Sequence, residues 1–218
     1  GPERPLRPLP ARLRPMEPDP GAAPFDDPGY RFEPWWPGTR VLLFREGGEV
    51  RLQVEQLADP LTAFPELRGV GQLLREDGVV VDGTLLVLDA DGRPDADLLR
   101  ERLAYPEVRN GEAAFVASDL VWAGGRDITR RPFRERLDRL RAALPDTDWC
   151  MVARGYVGEG LAVADALAGM GLDAMSARHL DSPYRRGPSG GAWLRVPVVP
   201  APALDRRPTL ALIQRLGL

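Results

Sequence analysis

Chemistry at a protein site needs side chains that attack, shuttle protons or hold charge, and this chain carries a skewed stock of them. Its 218 residues include 29 arginines, one histidine (His179), one cysteine (Cys150) and no lysine. No lysine amine is therefore available as a nucleophile or Schiff-base former. His179 follows Arg178 with no flanking acid or second histidine to orient it, which makes it a poor candidate for phosphoryl or general-base chemistry. Cys150 sits in the run Asp-Trp-Cys-Met-Val and reads as a small buried hydrophobe rather than a thiolate. With no cluster of other ligands around it, no zinc pattern arises and no metal is expected. Arginine dominates what remains. Arg130, Arg131, Arg134, Arg136, Arg139 and Arg141 crowd one stretch, and Arg185 and Arg186 form a second group. Such a run reads first as a solvated face with i,i+4 partners such as Glu135 and Arg139. Its second reading is a phosphate-binding surface.

The elements that must position these groups follow from periodicity and turn residues. A hydrophobic content of 44% supports a packed core, and a net charge of -3 advertises neither nucleic acid nor a membrane surface. With no apolar run long enough to span a bilayer and a single cysteine, the chain is expected to be soluble and cytoplasmic. Residues 1–30 are dense in proline and predict an extended arm. From Arg40, "RVLLF" and "VRLQVEQ" around a glycine turn predict a hairpin. "PELRGVGQLLRE" predicts a helix weakened by Gly69 and Gly71, and "GVVVDGTLLVLDADGRPD" two strand segments that end in an Asp-Gly turn. "DADLLRERLA" predicts a helix capped by Asp95 or Asp97, and "AAFVASDLVWAGG" a strand. Phe133, Leu137, Leu140 and Leu144 at i, i+4, i+7 and i+11 mark the clearest helix, between Pro132 and Pro145. Strand "DWCMVAR", helix "GEGLAVADALAGMG", and strands "DAMSAR" and "GAWLRVPVV" follow. A C-terminal tail, residues 201–218, ends in a short predicted helix. The whole predicts an α+β domain with antiparallel sheets over residues 31–200.

Four stretches then carry a resemblance. "RPM" and "PFDDPGYRFEP" lead into Phe32-Glu33-Pro34-Trp35-Trp36-Pro37-Gly38-Thr39-Arg40. "VVDGTLLVLDADGRPD", "SDLVWAGGRDITRRPFRERL" and "GLDAMSARHLDSPYRRGPSGGAWLRVP" follow in order. From about Arg14 to Val196 these resemble the adenylation (nucleotidyltransferase) domain of ATP-dependent DNA ligases, of the bacterial end-joining type. The resemblance implies two antiparallel sheets flanked by helices with a nucleotide between them. It also implies a lysine that takes AMP from ATP and passes it to a DNA 5′-phosphate.

The family pattern FEPKWDGYR has its lysine where this chain has Trp35 and its aspartate at Pro37. An indole nitrogen is a donor with no free lone pair, so Trp35 cannot attack phosphorus. The glutamate of the DGE marker is Thr84, an adenine-stacking aromatic is Ser118, and the later Glu-Gly pair is Asp173-Ala174. Two phosphate-binding lysines become Arg178 and Arg195 and a third becomes Pro197. Arginine keeps the charge but changes the geometry. The resemblance places an OB-fold next in such ligases, and none is expected in the residues after Val196.

The expectation is a catalytically inactive ligase homologue that acts as an accessory in DNA repair. No cofactor is expected, although ATP or AMP could be held without a covalent bond by Arg40, Asp82, Arg178 and Arg195. DNA ends held by arginines, or a repair protein, are the expected partners. A nucleotide sensor and a protein-interaction scaffold are the alternatives. Trp35 and Trp36 read either as core filler or, for Trp35, as a plug in the nucleotide space. Arg40 reads as ion-paired or nucleotide-facing, and Asp82 as a turn residue or a site carboxylate.

Overall fold

The computed structural model describes residues 7–200, so the expected tail and its helix lie outside the described residues. The chain opens with β1 (Met16–Glu17), β2 (Asp19–Pro20) and β3 (Asp27–Pro34), followed by β4 (Thr39–Glu46) and β5 (Glu49–Gln53). Helix α1 (Pro60–Ala63), a 3-10 turn and α2 (Arg68–Leu73) lead to β6 (Val79–Leu88), α3 (Ala96–Ala104), β7 (Glu112–Ala123) and β8 (Arg126–Asp127). Then come α4 (Phe133–Ala143), β9 (Cys150–Val152), β10 (Tyr156–Gly158), α5 (Gly160–Gly169), β11 (Ala174–His179), β12 (Gly187–Pro188) and β13 (Trp193–Pro197).

One sheet runs β5-β4-β6-β7-β8 with β9 added beside β7, and the other runs β10-β3-β11-β13-β2. The long pairs are antiparallel, as the patterning predicts. The short pairs β1 with β12, β2 with β13 and β7 with β9 are parallel. The β4–β5 hairpin turns on Gly47 and Gly48, both at positive φ (60° and 79°), the two-residue loop whose twist suits a hairpin. Asp95 caps α3 by accepting from the N–H groups of Asp97 and Leu98.

Two expectations are corrected. The predicted arm, residues 1–30, runs into a central strand, because Tyr30 and Arg31 on β3 pair with His179 and Arg178 on β11. Pro28 is tolerated there because it lies at the strand's start. The stretch expected to form two strand segments is one ten-residue strand, β6. Asp82-Gly83 does not turn, because Gly83 lies between β4 and β7. A Cβ on it would fall 2.5 Å from the Val116 carbonyl oxygen.

The outer face of the first sheet, including Val41, Leu43, Val81 and Leu85, packs on Phe64, Leu67 and Val70 and on the α4 stripe. Phe133, Leu137, Leu140 and Leu144 of that stripe are all buried, as their spacing predicts. Val163, Ala164 and Leu167 of α5 join the core of the second sheet with Phe32, Met175, Ala177 and Val196. With both outer faces covered by helices, the inner faces of the two sheets meet across a cleft.

Cys150 on β9 is fully buried, and burial, aided by the Asp146 carboxylate, pushes its thiol up to about 12. Almost no thiolate exists at pH 8. A disulfide reagent such as DTNB is expected to leave the native chain unlabelled at that pH and to titrate one thiol after denaturation. Rapid native labelling would contradict this packing.

Candidate functional site

β4 and β6 carry the first group in the cleft. Arg40 makes a bidentate pair with Asp82, which is fully buried in the middle of β6 rather than in a turn. The Tyr184 hydroxyl donates to Asp82 Oδ2 at 2.7 Å and accepts the Met16 N–H at 3.0 Å. Burial works against the Arg40 charge, and the Asp82 carboxylate outweighs it, so the Arg40 pKa is raised. Burial pushes the Tyr184 phenol well above its usual value, and the Asp82 charge adds to the effect.

β7 carries the second group. Asp119, also fully buried, accepts from Arg136 Nε at 2.9 Å and Nη2 at 3.0 Å, and from Arg178 Nη1 at 2.5 Å. Arg136 comes from α4, and its Nη1 donates to the Ser182 carbonyl at 2.9 Å. The expectation that the α4 arginines form a solvated face therefore fails at Arg136, which is completely buried. Its neighbours are exposed but paired: Arg134 with Asp181, Arg139 with Glu76 and Arg131 with Glu135. The expected Glu135–Arg139 pairing is replaced by these contacts.

The third group is aromatic. Trp35 and Trp193 stack with ring centroids 5.6 Å apart and planes 28° from parallel. Arg40 and Arg178 lie over the Trp193 ring at 4.8 and 4.5 Å, and Arg195 lies over Trp35 at 5.3 Å. Trp36 is buried in the second core instead. A cavity of about 200 Å³ remains beside the stack, lined by residues that include Glu33, Trp35, Arg40, Thr84, Ser118 and Arg178. Ligand pockets commonly enclose about 300–1,000 Å³, so this space is small.

Arg40, Asp82 and Arg178 are thus brought together around the cleft, while Arg195 stays exposed at its rim. Ser118 lines the cavity and donates to the Asp82 carbonyl at 3.2 Å. His179 lies outside it, its ring edge-on to Tyr30 and its Nδ1 accepting from the Asp181 N–H at 3.2 Å. Among the described residues no group of three His, Cys, Asp or Glu side chains is placed to hold a metal. No described helix is long and apolar enough to cross a membrane. Sequence reasoning missed Asp119, Arg136, Tyr184, Trp193 and Glu33. Asp119 carried a signal: a lone acid inside an apolar strand must find a buried cation.

Two sheets, a cleft between them and charged groups projecting from β4, β6, β7 and β11 define a ligase-type nucleotidyltransferase domain. No family model matches the chain. It is 35% identical over 175 residues to DNA ligase C2 of Mycolicibacterium smegmatis, covering 72% of this chain and 47% of that protein. It is 32% identical over 197 residues to DNA ligase C1 of the same organism, covering 84% of this chain and 54% of that protein. It also matches the solved structure of mycobacterial DNA ligase D complexed with ATP and MES, at a TM-score of 0.72 and 26% identity. That match covers 85% of this chain and 60% of the other. The chain belongs to the ATP-dependent DNA ligase family, through the adenylation domain of the bacterial LigC/LigD type. It spans about half the length of the two curated relatives.

Removing one partner of a buried ion pair leaves the other charge uncompensated and costs about 3–5 kcal/mol. Arg136→Ala, which takes the bidentate partner from Asp119 and leaves it Arg178 alone, is expected to lower stability toward the lower end of this range in urea unfolding. Arg134→Ala, on the same helix but exposed, is expected to change it by less than about 1 kcal/mol.

Proposed function

We propose that this chain is a non-catalytic member of the ligase family, a pseudoligase that serves DNA repair by binding DNA ends. The observation that carries the reading is the indole stack. Trp35, at the position where the family motif has its lysine, lies against Trp193, and the chain has no lysine to recruit. A lysine-linked adenylate does not fit these residues: Thr84 replaces the carboxylate of the second motif and Pro37 that of the first. Arg40 and Arg178 are engaged by Asp82 and Asp119, so their charge is largely matched before any phosphate arrives. The small cavity argues in the same direction, against a nucleotide sensor.

DNA contact is supported by a different edge. The Tyr184 N–H donates to the Thr129 carbonyl at 2.8 Å, which joins the loop around residue 185 to the loop around residue 128. Arg126, Arg130, Arg185 and Arg186 are exposed along this seam, and the Arg14 guanidinium lies beside Gly187. The acids here form loose pairs, Arg186 with Asp127 at 3.8 Å and Arg14 with Glu17 at 3.9 Å. Exposed pairs of this kind are worth about 0–1 kcal/mol and exchange readily for phosphates. The expected binding is independent of sequence and weakens steeply with salt.

Incubation with ATP and magnesium is expected to leave the intact mass unchanged, and a gain of one AMP would end the pseudoligase reading. A blunt duplex is expected to bind with an affinity that falls with salt. Replacing Arg185 and Arg186 by alanine is expected to make the salt slope shallower by about two. An unchanged slope would remove this edge from the interface.

A further inference from the structure

Residues 7–20 cross the open end of the cleft as a strap. Five of them are proline, so the strap offers few backbone donors, and its two ladders are only two residues long. Apolar anchors and side-chain ends hold it. Leu9, Leu13 and Met16 are buried against Phe44, Trp122 and Trp193, with Trp35 packed beside them. Arg51 donates to the carbonyls of Ala11 at 2.6 Å and Pro10 at 2.5 Å, and Gln53 exchanges hydrogen bonds with Leu13 at 2.6 and 3.0 Å. Asp19 accepts from Ser189 Oγ and the Gly191 N–H, both at 2.6 Å.

Beneath the strap the body presents rings with guanidinium groups already laid on them. Arg51 lies 3.9 Å from the Phe44 ring, Arg40 and Arg178 flank Trp193, and Arg195 covers Trp35. Aromatic faces edged by arginine are what unpaired bases stack on, and Arg51 and Arg195, which stand outside the Asp82 and Asp119 pairs, are the cations placed to meet the phosphates. A duplex cannot use such a surface, because its base faces are already stacked on one another.

We propose that the floor under the strap, Phe44, Trp122, Trp193 and Trp35 with Arg51 and Arg195, is a binding platform for single-stranded nucleic acid. The strap occupies it until a strand displaces it. Leu13 and Met16 fill the places that bases take, and because the strap joins the body through two edge ladders of two residues each, it can leave without breaking the long antiparallel pairs of either sheet. Proline limits what the released strap gains in disorder, so reclosing is favourable and the site stays covered without a ligand. This goes beyond duplex-end binding and does not depend on it, since the surface and the form of the nucleic acid both differ.

The test compares the full chain with a variant carrying Leu9→Gly, Leu13→Gly and Met16→Gly, which loosens the strap and leaves the floor intact. Tryptic cleavage at the Arg12–Leu13 bond reports release, and fluorescence anisotropy of a labelled oligothymidylate reports binding. Faster cleavage with an affinity raised about tenfold or more, and tryptophan quenching by the strand, is the expected result. Adding Arg195→Ala, an exposed change, is expected to reverse part of that gain, and Arg185→Ala with Arg186→Ala to leave most of it. Faster cleavage with no gain in affinity overturns the proposal. A strap that stays protected even after Asp19→Ala is added also overturns it, because the cover would then not be displaceable. If the loosened variant instead binds proline-rich peptide and not oligothymidylate, the platform belongs to a protein partner and the nucleic-acid assignment fails.

Discussion

Asp82 on β6 and Asp119 on β7 stand opposite each other in one antiparallel register, both fully buried. Two like charges so placed repel each other and have lost their water, and the structure around them follows from that constraint. Arg40 comes from β4 to one carboxylate, while Arg136 from α4 and Arg178 from β11 come to the other. These pairings tie both sheets and a helix of the outer layer to a single electrostatic knot. The loop after β11 completes it, as Tyr184 donates to Asp82 and the Ser182 carbonyl accepts from Arg136.

The knot explains the character of the cleft. An arginine that balances a buried carboxylate cannot also serve a ligand at full charge, so the inward-facing cations act structurally before they act on anything bound. Their planar guanidinium groups then lie on indole rings, a packing a lysine ammonium does not reproduce. Trp35 and Trp193 fill part of the space that remains, leaving a cavity of about 200 Å³ beside them, and the arm adds an apolar cover. The inward-facing charges are thus largely matched within the fold, while Arg185, Arg186 and Arg195 lie exposed at the rim and along the outer seam.

Much of the fold was legible in the chain itself. The α4 stripe, the glycine hairpin, the Asp95 cap and the alternating strands are local patterns, and local physics is enough to read them. The missing lysine and the placement of Trp35 were equally plain, because each is a statement about residue type at a known position. Where the reading failed, a distant element had overruled a local preference. Asp82-Gly83 looks like a turn until β4 and β7 flank it, and the arm's last residues look like loop until β11 offers them a ladder.

Sequence alone therefore determined the family, the order of elements and the absence of an amine nucleophile. Only the tertiary structure decided what became of the charges. Arg136 falls three residues after Phe133 and four before Leu140, at the edge of the buried α4 stripe, but spacing within α4 does not show that a charged residue there finds a partner. It is buried because α4 packs against β7 at the one point where Asp119 needs a cation, and that coincidence exists only in three dimensions. The pairing of Trp35 with Trp193 is of the same kind: the two lie far apart in the chain and stack because β3 and β13 both flank β11.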